Sequence, residues 1–249
     1  MRGVIFDFFG TLMIYTNSRK AWEDWLSSLY ENFKRFGYTK PKSTFAVECD
    51  GIMNKPEPNY KSMNLTVFEK RIYALSIELG LEVKPEEIRS VSQEAMNVWQ
   101  RYVPLDPNAI PVLEVLKRNN IVALISNFDH PPHIYSLLTK LKLDHFFDSI
   151  IISSEVGVKK PNPAIFSFAL KETNLKPSEV CYIGDTKDDI TAAIRADIRP
   201  ILIQREIDGG DELLYDYSVS KSLVDKKVLN NETKNVKVIT SLKELIDSV

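Results

Sequence analysis

Val180–Asp189, which reads VCYIGDTKDD, gives the clearest indication of the fold class of this chain. Its first four residues form a short apolar run, as expected for a strand that is buried on both faces. A helical pattern over Asn162–Lys171 precedes this run, and a second helical pattern over Asp188–Ala196 follows it. A strand between two helices is typical of α/β folds with parallel strands.

The same alternation extends outward from this stretch in both directions. Further strands are predicted at Gly3–Phe8, Ile121–Ile125, Ser149–Ile152, Pro200–Ile203 and Val236–Ile239. Further helices are predicted at Asn108–Arg118, Pro132–Leu141 and Leu242–Ile246. This order predicts an α/β fold with a parallel sheet and helices on both faces. The polar segment Glu206–Asn235 is expected to be a loop-rich excursion.

The region between the first strand and this alternation has a different pattern. From Ser18 to Tyr102, apolar residues recur at helical spacing, and Leu65–Leu79 and Pro85–Tyr102 are its clearest later helices. No strand pattern interrupts the region. It therefore predicts an all-helical insert within the α/β unit.

Composition excludes several classes of protein. The net charge is -2, with 44% hydrophobic and 27% charged residues, which is ordinary for a globular protein. We expect no nucleic-acid or membrane partner, because such partners need a basic surface or a long apolar segment. The apolar run that opens the chain is interrupted at Asp7, so we expect no signal peptide and a cytoplasmic location. Cys49 and Cys181 are expected to be two buried, reduced thiols.

Polar residues follow four of the predicted strands at the point where each strand ends. In an open parallel sheet these ends share one edge, where ligands bind. Each residue alone is typical of a turn or a helix cap, but their joint placement predicts a site. The residues are Asp7 and Thr11, then Ser126, Asn127 and Asp129, then Glu155, Lys159 and Lys160, and finally Asp185, Thr186, Asp188 and Asp189.

The chemistry of this set favours phosphoryl transfer. Asp7 and Asp185 together provide oxygens for Mg²⁺, which prefers one or two carboxylates plus waters and substrate phosphate. Ser126, Lys160 and the N–H groups around Gly10 and Thr11 are predicted to hold the phosphoryl oxygens. A carboxylate that faces a phosphoryl group held by a cation can attack it and form an aspartyl phosphate.

Four stretches, in order along the chain, resemble the motifs of the haloacid dehalogenase superfamily. Val4–Leu12 resembles the first motif, and Leu124–Asn127 resembles the second. Gly157–Phe166 is similar to the third, and Tyr182–Asp189 has the GDxxxD form of the fourth. Four motifs in this order are far more specific than any one of them alone.

The resemblance implies a Rossmann-like catalytic core (1–15 and 103–249) with a helical cap domain (16–102). It implies that Asp7 is the nucleophile and that Lys160 restrains it electrostatically. The implied magnesium ligands are Asp7, Asp185, Asp189 and the backbone carbonyl of Phe9. The predicted phosphate-binding residues are Gly10, Thr11, Ser126, Asn127 and Lys160.

One position departs from the family pattern. Phosphatases of the superfamily usually carry a second Asp two residues after the nucleophile, where this chain has Phe9. The preferred interpretation is a phosphatase for a small phosphorylated metabolite that works slowly or takes an acid from Asp129, His130 or the cap. A 2-haloacid dehalogenase is an alternative, since halide leaves without a proton, but the relatives of that kind need no metal and usually have Tyr at this position.

Two other interpretations stay open. A phosphonate hydrolase would need a Schiff-base lysine, for which Lys42, Lys55 and Lys61 are the candidates. A non-catalytic phosphate-binding module would keep only the shape of the motifs.

Aromatic and histidine side chains raise a separate question of substrate choice. Tyr15, Trp22, Trp25 and Tyr30 could line an apolar pocket, but their helical spacing favours packing. His133 is expected in a surface loop, and His130 is a candidate for the rim of the site.

Overall fold

The computed structural model describes residues 2–60, 62–205 and 236–246. The chain divides into two compact units: a helical unit, Thr16–Val103, and a sheet unit that includes Met1–Tyr15 and the described residues from Pro104 onward. The predicted loop-rich excursion over 206–235 and the candidate lysine at position 61 lie outside the described residues.

Four helices build the helical unit, and its described residues contain no strand. They are α1 (Ser18–Arg35), α2 (Lys42–Glu48), α3 (Val67–Glu78) and α4 (Pro85–Gln100), with a 3₁₀ turn at Ile52–Asn54. Helix α4 packs against α1 and α3. Helix α3 begins with a reciprocal capping box between Thr66 and Glu69, which satisfies two free N–H groups of its first turn.

The aromatic residues of α1 are packing residues of this unit. Trp25 is buried and stacks on Trp22 with their ring centroids 4.8 Å apart. The ring of Tyr30 lies 5.7 Å from that of Phe45, which is fully buried. The helical spacing of these residues therefore reflects the core of the helical unit, as expected.

Six strands form the sheet unit, and every neighbouring pair is parallel. The order across the sheet is β3-β2-β1-β4-β5-β6. The predicted Rossmann-like α/β fold class is confirmed. The strands are β1 (Gly3–Phe6), β2 (Ile121–Ser126), β3 (Ser149–Ile152), β4 (Val180–Gly184), β5 (Arg199–Ile203) and β6 (Lys237–Ile239).

Helices cover both faces of this sheet. They are α5 (Ala109–Lys117), α6 (Pro131–Lys140), α7 (Ser153–Val156), α8 (Ile165–Thr173) and α9 (Lys187–Arg195). Successive strand residues point to opposite faces. Ile5 pairs with Tyr182 on one side and with Ala123 on the other, and Ile125 lies two residues after Ala123. Ile5, Ile125 and Tyr182 therefore share one face, where they form a core with Phe166 of α8 and Ala193 of α9. Helix α5 packs against β2.

Three local expectations were wrong. His133 is not in a surface loop: α6 begins at Pro131, and His133 lies in its first turn at 2% exposure. Helix α8 begins at Ile165 rather than at Asn162, because the Asn162 side chain accepts the Ala164 N–H and forms a turn there. The last predicted helix is a 3₁₀ helix, Leu242–Leu245, whose start is held by the Glu244 carboxylate.

The structure also bears on the two cysteines and on the length and hydropathy of the helices. Cys49 and Cys181 are both buried and unpaired, as predicted. Among the helices that the structure describes, none combines the length and the hydropathy needed to cross a lipid bilayer.

Candidate active site

The carboxyl edge of the sheet brings the predicted acidic residues together where β1 lies between β2 and β4. The Asp7 N–H donates to the Ile183 carbonyl at 2.8 Å, which continues the β1–β4 pairing one residue past Phe6. Asp7 therefore leaves β1 at the level where Asp185 leaves β4. One carboxylate oxygen from each of Asp7, Asp185 and Asp189 lies within 4.8 Å of the other two.

Lys160 provides the positive charge at this cluster. Its ammonium lies 2.5 Å from the Asp7 carboxylate and 2.7 Å from the Asp189 carboxylate. It also donates to the Tyr182 hydroxyl at 2.8 Å. Lys160 is only 4% exposed, and the two carboxylates outweigh the effect of its burial and raise the pKa of the ammonium. This group is a fixed cation rather than a proton donor.

Asp189 is held by neutral donors as well as by Lys160. The Tyr182 hydroxyl donates to its carboxylate at 2.8 Å, and the Thr186 hydroxyl donates at 2.6 Å. Burial acts to raise the pKa of Asp189, but Lys160 and these hydrogen bonds outweigh it and lower the pKa. Asp189 is therefore the ionised partner of Lys160.

Asp7 and Asp185 have the opposite electrostatic character. Burial raises the pKa of Asp7 to about 7, since Lys160 only partly offsets the desolvation and Asp189 adds to it. Burial raises the pKa of Asp185 well above its ordinary value, with Asp189 and Asp7 adding to the effect. For both carboxylates, burial and the neighbouring negative charges outweigh the effect of Lys160 and favour the protonated form.

This donor set fits a divalent cation. Three carboxylates face one ammonium in the cluster, which leaves two negative charges uncompensated when all are ionised. All the ligand atoms are carboxylate oxygens, which hard cations such as Mg²⁺ prefer. Because Asp189 already has three partners, Asp7 and Asp185 are the two carboxylates best placed to hold such an ion directly.

The loop after β1 lies against Asp185. Gly10 has a φ of 88°, and a side chain there would place its Cβ 2.1 Å from the Asp185 carboxylate. The Thr11 hydroxyl donates to the same carboxylate at 3.4 Å. A glycine is therefore required at position 10 both for its backbone conformation and for its close contact with Asp185.

The polar residues after β2 and β3 differ in burial and in the groups that they contact. Ser126 is buried at the end of β2. The Asn127 side chain accepts the Lys160 N–H at 2.9 Å and donates to the Lys160 carbonyl at 3.0 Å, so it fixes the lysine backbone. Glu155 and Lys159 are exposed, and Glu155 accepts a hydrogen bond from Tyr135.

An aromatic ring occupies the position of the usual second Asp. The ring of Phe9 is 8% exposed and lies 4.9 Å from that of Phe8 and 4.8 Å from that of Phe128. The imidazole of His133 stacks on Phe128 at 6.1 Å. Burial lowers the pKa of His133 to about 4, so the imidazole is neutral at pH 7 and is a poor proton donor.

Comparison with known proteins identifies the family of this chain. The family profile described as haloacid dehalogenase-like hydrolase matches residues 1–197. The chain belongs to this family. The matched region includes the acidic cluster, Lys160 and both sets of helices, and it ends before β5.

This hydrolase resembles several phosphatases and a 2-haloacid dehalogenase of Burkholderia cepacia. It is 30% identical over 128 residues to a glyceraldehyde 3-phosphate phosphatase of Methanopyrus kandleri, covering 51% of this chain and 55% of that protein. It is 31% identical over 137 residues to phosphoglycolate phosphatase 1 of Pseudomonas aeruginosa, covering 53% and 50%. The chain thus spans about half the length of these curated relatives.

One solved structure shows that the fold is shared along the whole chain. The crystal structure of a 2-haloacid dehalogenase from Pseudomonas syringae pv. tomato has a TM-score of 0.63 and 19% identity. The match covers 99% of this chain and 97% of the other. At this identity the similarity concerns the fold of this haloacid dehalogenase-like hydrolase.

Three polar residues near the site of this hydrolase were not predicted from the sequence: Tyr182, Arg205 and Asp106. Tyr182 lies inside an apolar strand, where its hydroxyl gave no signal besides its position three residues before Asp185. Arg205 follows β5, and it contacts the Gly10–Thr11 loop and Asp106. Its position just after the fifth strand, like those of the polar residues after the first four, is the signal that points to Arg205.

Proposed function

We propose that this protein is a Mg²⁺-dependent phosphatase that acts on a small phosphorylated metabolite through an aspartyl phosphate on Asp7. The observation that carries the proposal is the cluster of three carboxylates, whose ligand atoms lie within 4.8 Å of one another beside the buried Lys160 ammonium. Such a cluster is suited to a divalent cation and to a phosphoryl group at the same edge of the sheet.

Asp7 has the role of nucleophile in this proposal. One carboxylate oxygen of Asp7 attacks phosphorus, and the bond from phosphorus to the leaving oxygen of the ester breaks. The departing alkoxide takes a proton from water, and an alcohol is released. A water molecule then attacks the phosphorus of the aspartyl phosphate, and the bond to Asp7 breaks to give inorganic phosphate.

The other residues of the cluster position and stabilise this chemistry. Lys160, held by Asn127 and Tyr182, keeps the Asp7 carboxylate oriented and offsets charge on the phosphoryl oxygens. Ser126 and the backbone at Gly10 and Thr11 contribute further donors to these oxygens. Asn127, which the resemblance implies to be a phosphate-binding residue, acts here mainly by holding the Lys160 backbone.

Asp7, Asp185 and the carbonyl of Phe9 would hold Mg²⁺, with Asp189 in support. When bound, the cation neutralises negative charge so that the carboxylate of Asp7 can approach the phosphoryl group. The raised pKa values of Asp7 and Asp185 support this assignment, because a cation at the cluster would favour their ionised forms.

We also propose the domain roles and the location implied by the sequence. Residues 1–15 and 103–249 serve as the catalytic core, and residues 16–102 serve as the cap domain that selects the substrate. The protein is proposed to act in the cytoplasm. The two curated relatives named above act on glyceraldehyde 3-phosphate or phosphoglycolate, which supports a small phosphorylated substrate for this chain.

A 2-haloacid dehalogenase is the second candidate, and Phe9 is the observation that favours it. A halide leaves without a proton, so a ring at this position carries no penalty for that reaction. The acidic cluster counts against it, because a reaction without a metal has no use for uncompensated carboxylates beside the nucleophile.

A single assay separates these functions. A panel of phosphomonoesters and 2-haloacids is tested with and without Mg²⁺, and phosphate and halide release are both measured. The proposal predicts phosphate release that requires the metal. Halide release without metal would replace the proposal with a dehalogenase, and saturable phosphate binding without any turnover would replace it with a binding module.

A further inference from the structure

Arg205 lies just beyond β5 and outside the region that matches the family profile. Its guanidinium donates to the Gly10 carbonyl and, at 2.6 Å, to the Thr11 carbonyl. It also donates to the Asp106 carboxylate at 2.7 Å. The Arg205 side chain is 19% exposed and that of Asp106 is 6% exposed, so the pair is largely withdrawn from water.

Asp106 holds the same loop by a second route. Its N–H donates to the Leu12 carbonyl at 2.8 Å, and its carboxylate also accepts the Asn108 N–H at 2.8 Å. Three consecutive carbonyls, those of Gly10, Thr11 and Leu12, are therefore bound by the Arg205–Asp106 pair. A planar guanidinium with several fixed donors suits this task better than a flexible ammonium.

These contacts determine where the N–H groups of the loop point. In a trans peptide the N–H points away from the carbonyl of the same unit. Since Arg205 holds the Gly10 carbonyl, the Thr11 N–H points away from Arg205. The Leu12 and Met13 N–H groups both donate to the Phe8 carbonyl. For the Thr11 N–H, the described part of the chain provides no acceptor.

We infer that Arg205 is a positioning residue that, with Asp106, holds the Gly10–Leu12 loop so that Gly10 lies against Asp185 and the Thr11 N–H is available to a phosphoryl oxygen. This inference rests on the proposed phosphatase function for the ligand, but the loop geometry is independent of it. Arg205 itself contacts backbone carbonyls and a carboxylate rather than the reacting atoms.

The test compares R205Q, R205K and D106N with K117M as the matched control. Lys117 forms a 2.6 Å ion pair with Asp148, which in turn accepts the Val122 N–H near the start of β2, away from the carboxyl edge. K117M therefore removes an ion pair of similar length, though a more exposed one, that contacts the backbone of the same unit at a distance from the loop.

Two measurements are made on each full-length variant. Amide hydrogen exchange at Leu12 and Met13 is followed by NMR in the metal-free protein, and kcat and KM are measured with 4-nitrophenyl phosphate and Mg²⁺. R205Q is expected to accelerate exchange at these amides about 10-fold. It is expected to lower kcat/KM on the order of 10²-fold, since the loop is misplaced. R205K is expected to restore part of both losses, and D106N is expected to give smaller effects of the same sign.

The inference is overturned if exchange at Leu12 and Met13 in R205Q equals that of the wild type, or if K117M produces the same changes. If R205Q does not fold, R205K and D106N provide the same comparison. If the wild type hydrolyses no phosphate ester, the proposed function fails, and the exchange measurement alone decides the role of Arg205.

Discussion

The ring of Phe9 lies 4.8 Å from the ring of Phe128, centroid to centroid, in the position where related phosphatases carry an acid. The Phe8 ring contacts Phe9 as well, at 4.9 Å. The loss of the acid is therefore accompanied by a packed aromatic cluster. This arrangement ties the chemistry of the site to its stability.

Phe9→Asp is expected to raise phosphatase activity while lowering stability. The new carboxyl group can protonate the leaving alkoxide, and such help is worth about 10²–10⁴-fold when well placed. Removing the buried ring should cost about 3–5 kcal/mol of unfolding free energy, as large-to-small changes of Phe do. Activity is measured with 4-nitrophenyl phosphate and with a simple alkyl phosphate, and stability is measured by denaturant unfolding.

Phe9→Asn is the control for this prediction, because it loses the same packing and gains no acid. The gain from Phe9→Asp should be larger for the alkyl phosphate, whose leaving group needs a proton more. Equal rates for the Asp and Asn variants would show that a missing acid is not what limits the enzyme.

Asp7→Asn is expected to reduce turnover to background. The amide is a poor nucleophile, and it also removes a proposed metal ligand. Trapping the wild type with substrate and measuring its mass should reveal one added phosphoryl group on the peptide that contains Asp7. Asp144→Asn, on an exposed 3₁₀ turn of the sheet unit, is the matched control and should retain activity. Turnover by the Asp7→Asn protein would rule out the covalent mechanism.

Without metal, stability should fall as the pH rises through the weakly acidic range. The pKa of Asp7 is about 7 in the folded protein, against 3.8 ordinarily. The folded state thus binds this proton more tightly than the unfolded state. The resulting stabilisation is complete below pH 3.8 and is lost as the pH rises through about 7. Asp185, with its raised pKa, contributes in the same direction.

Mg²⁺ should reverse this loss by favouring the ionised carboxylates. A concentration of 100 times the dissociation constant contributes about 2.7 kcal/mol, which corresponds to a rise in Tm of about 5–10 °C for a chain of this size. The rise in Tm should be larger at pH 8 than at pH 5, and Asp185→Asn should abolish it. A Tm that does not respond to Mg²⁺ at pH 8 would contradict the proposed metal site.

The sequence was sufficient to predict the sheet because its strands are short and apolar. Val180–Gly184 is buried at every position, and Ser149–Ile152 is buried at all but Ile150, so each contains a short apolar run between helices. The positions of the carboxylates at the edge of the sheet could also be predicted from the strands. Asp7 and Asp185 come directly after β1 and β4, and the parallel pairing of these strands brings them to one level.

Contacts between distant residues could not be predicted in this way. The contact of Lys160 with Asp7, at a separation of 153 residues, was implied by the family resemblance alone. Its contacts with Asp189 and the Tyr182 hydroxyl depend on side-chain directions that no local pattern encodes. His133 was expected in a surface loop because it lies just beyond the second motif, although the predicted helix Pro132–Leu141 already included it; it is buried in the first turn of α6. Arg205 escaped notice because it lies beyond the four motifs.

Asn127→Ala is expected to impair catalysis through Lys160. The side chain of Asn127 makes two hydrogen bonds with the Lys160 backbone, at 2.9 and 3.0 Å, and these fix where the ammonium meets Asp7. Their loss should lower kcat on the order of 10²-fold, because small displacements of catalytic groups are costly. Asn127→Asp keeps the acceptor for the Lys160 N–H and should have an intermediate kcat.

Asn162→Ala is the control for the Asn127 variants. Asn162 lies on the same loop as Lys160, but its side chain accepts the Ala164 N–H at 3.0 Å rather than a hydrogen bond from the Lys160 backbone. It should lower Tm without lowering kcat. If the two Ala variants lower kcat equally, the effect belongs to the loop as a whole rather than to the position of Lys160.

Tyr182→Phe removes one hydroxyl that serves two charged groups. The hydroxyl accepts from the Lys160 ammonium and donates to the Asp189 carboxylate, both at 2.8 Å. The ammonium keeps Asp7, Asp189 and the Ile125 carbonyl as partners, but it loses one acceptor and Asp189 loses one donor. Hydrogen bonds to charged groups are worth about 1.5–3 kcal/mol of unfolding free energy, so the variant should lose stability in that range. Loss of the donor should also raise the pKa of Asp189, so the acid limb of the pH–kcat profile should move to higher pH.

Tyr135→Phe, which removes an exposed hydroxyl bonded to Glu155 at 2.9 Å, should change neither stability nor this limb. An unshifted acid limb in a folded Tyr182→Phe protein would show that Tyr182 fills space in the core without tuning the charges beside Asp7.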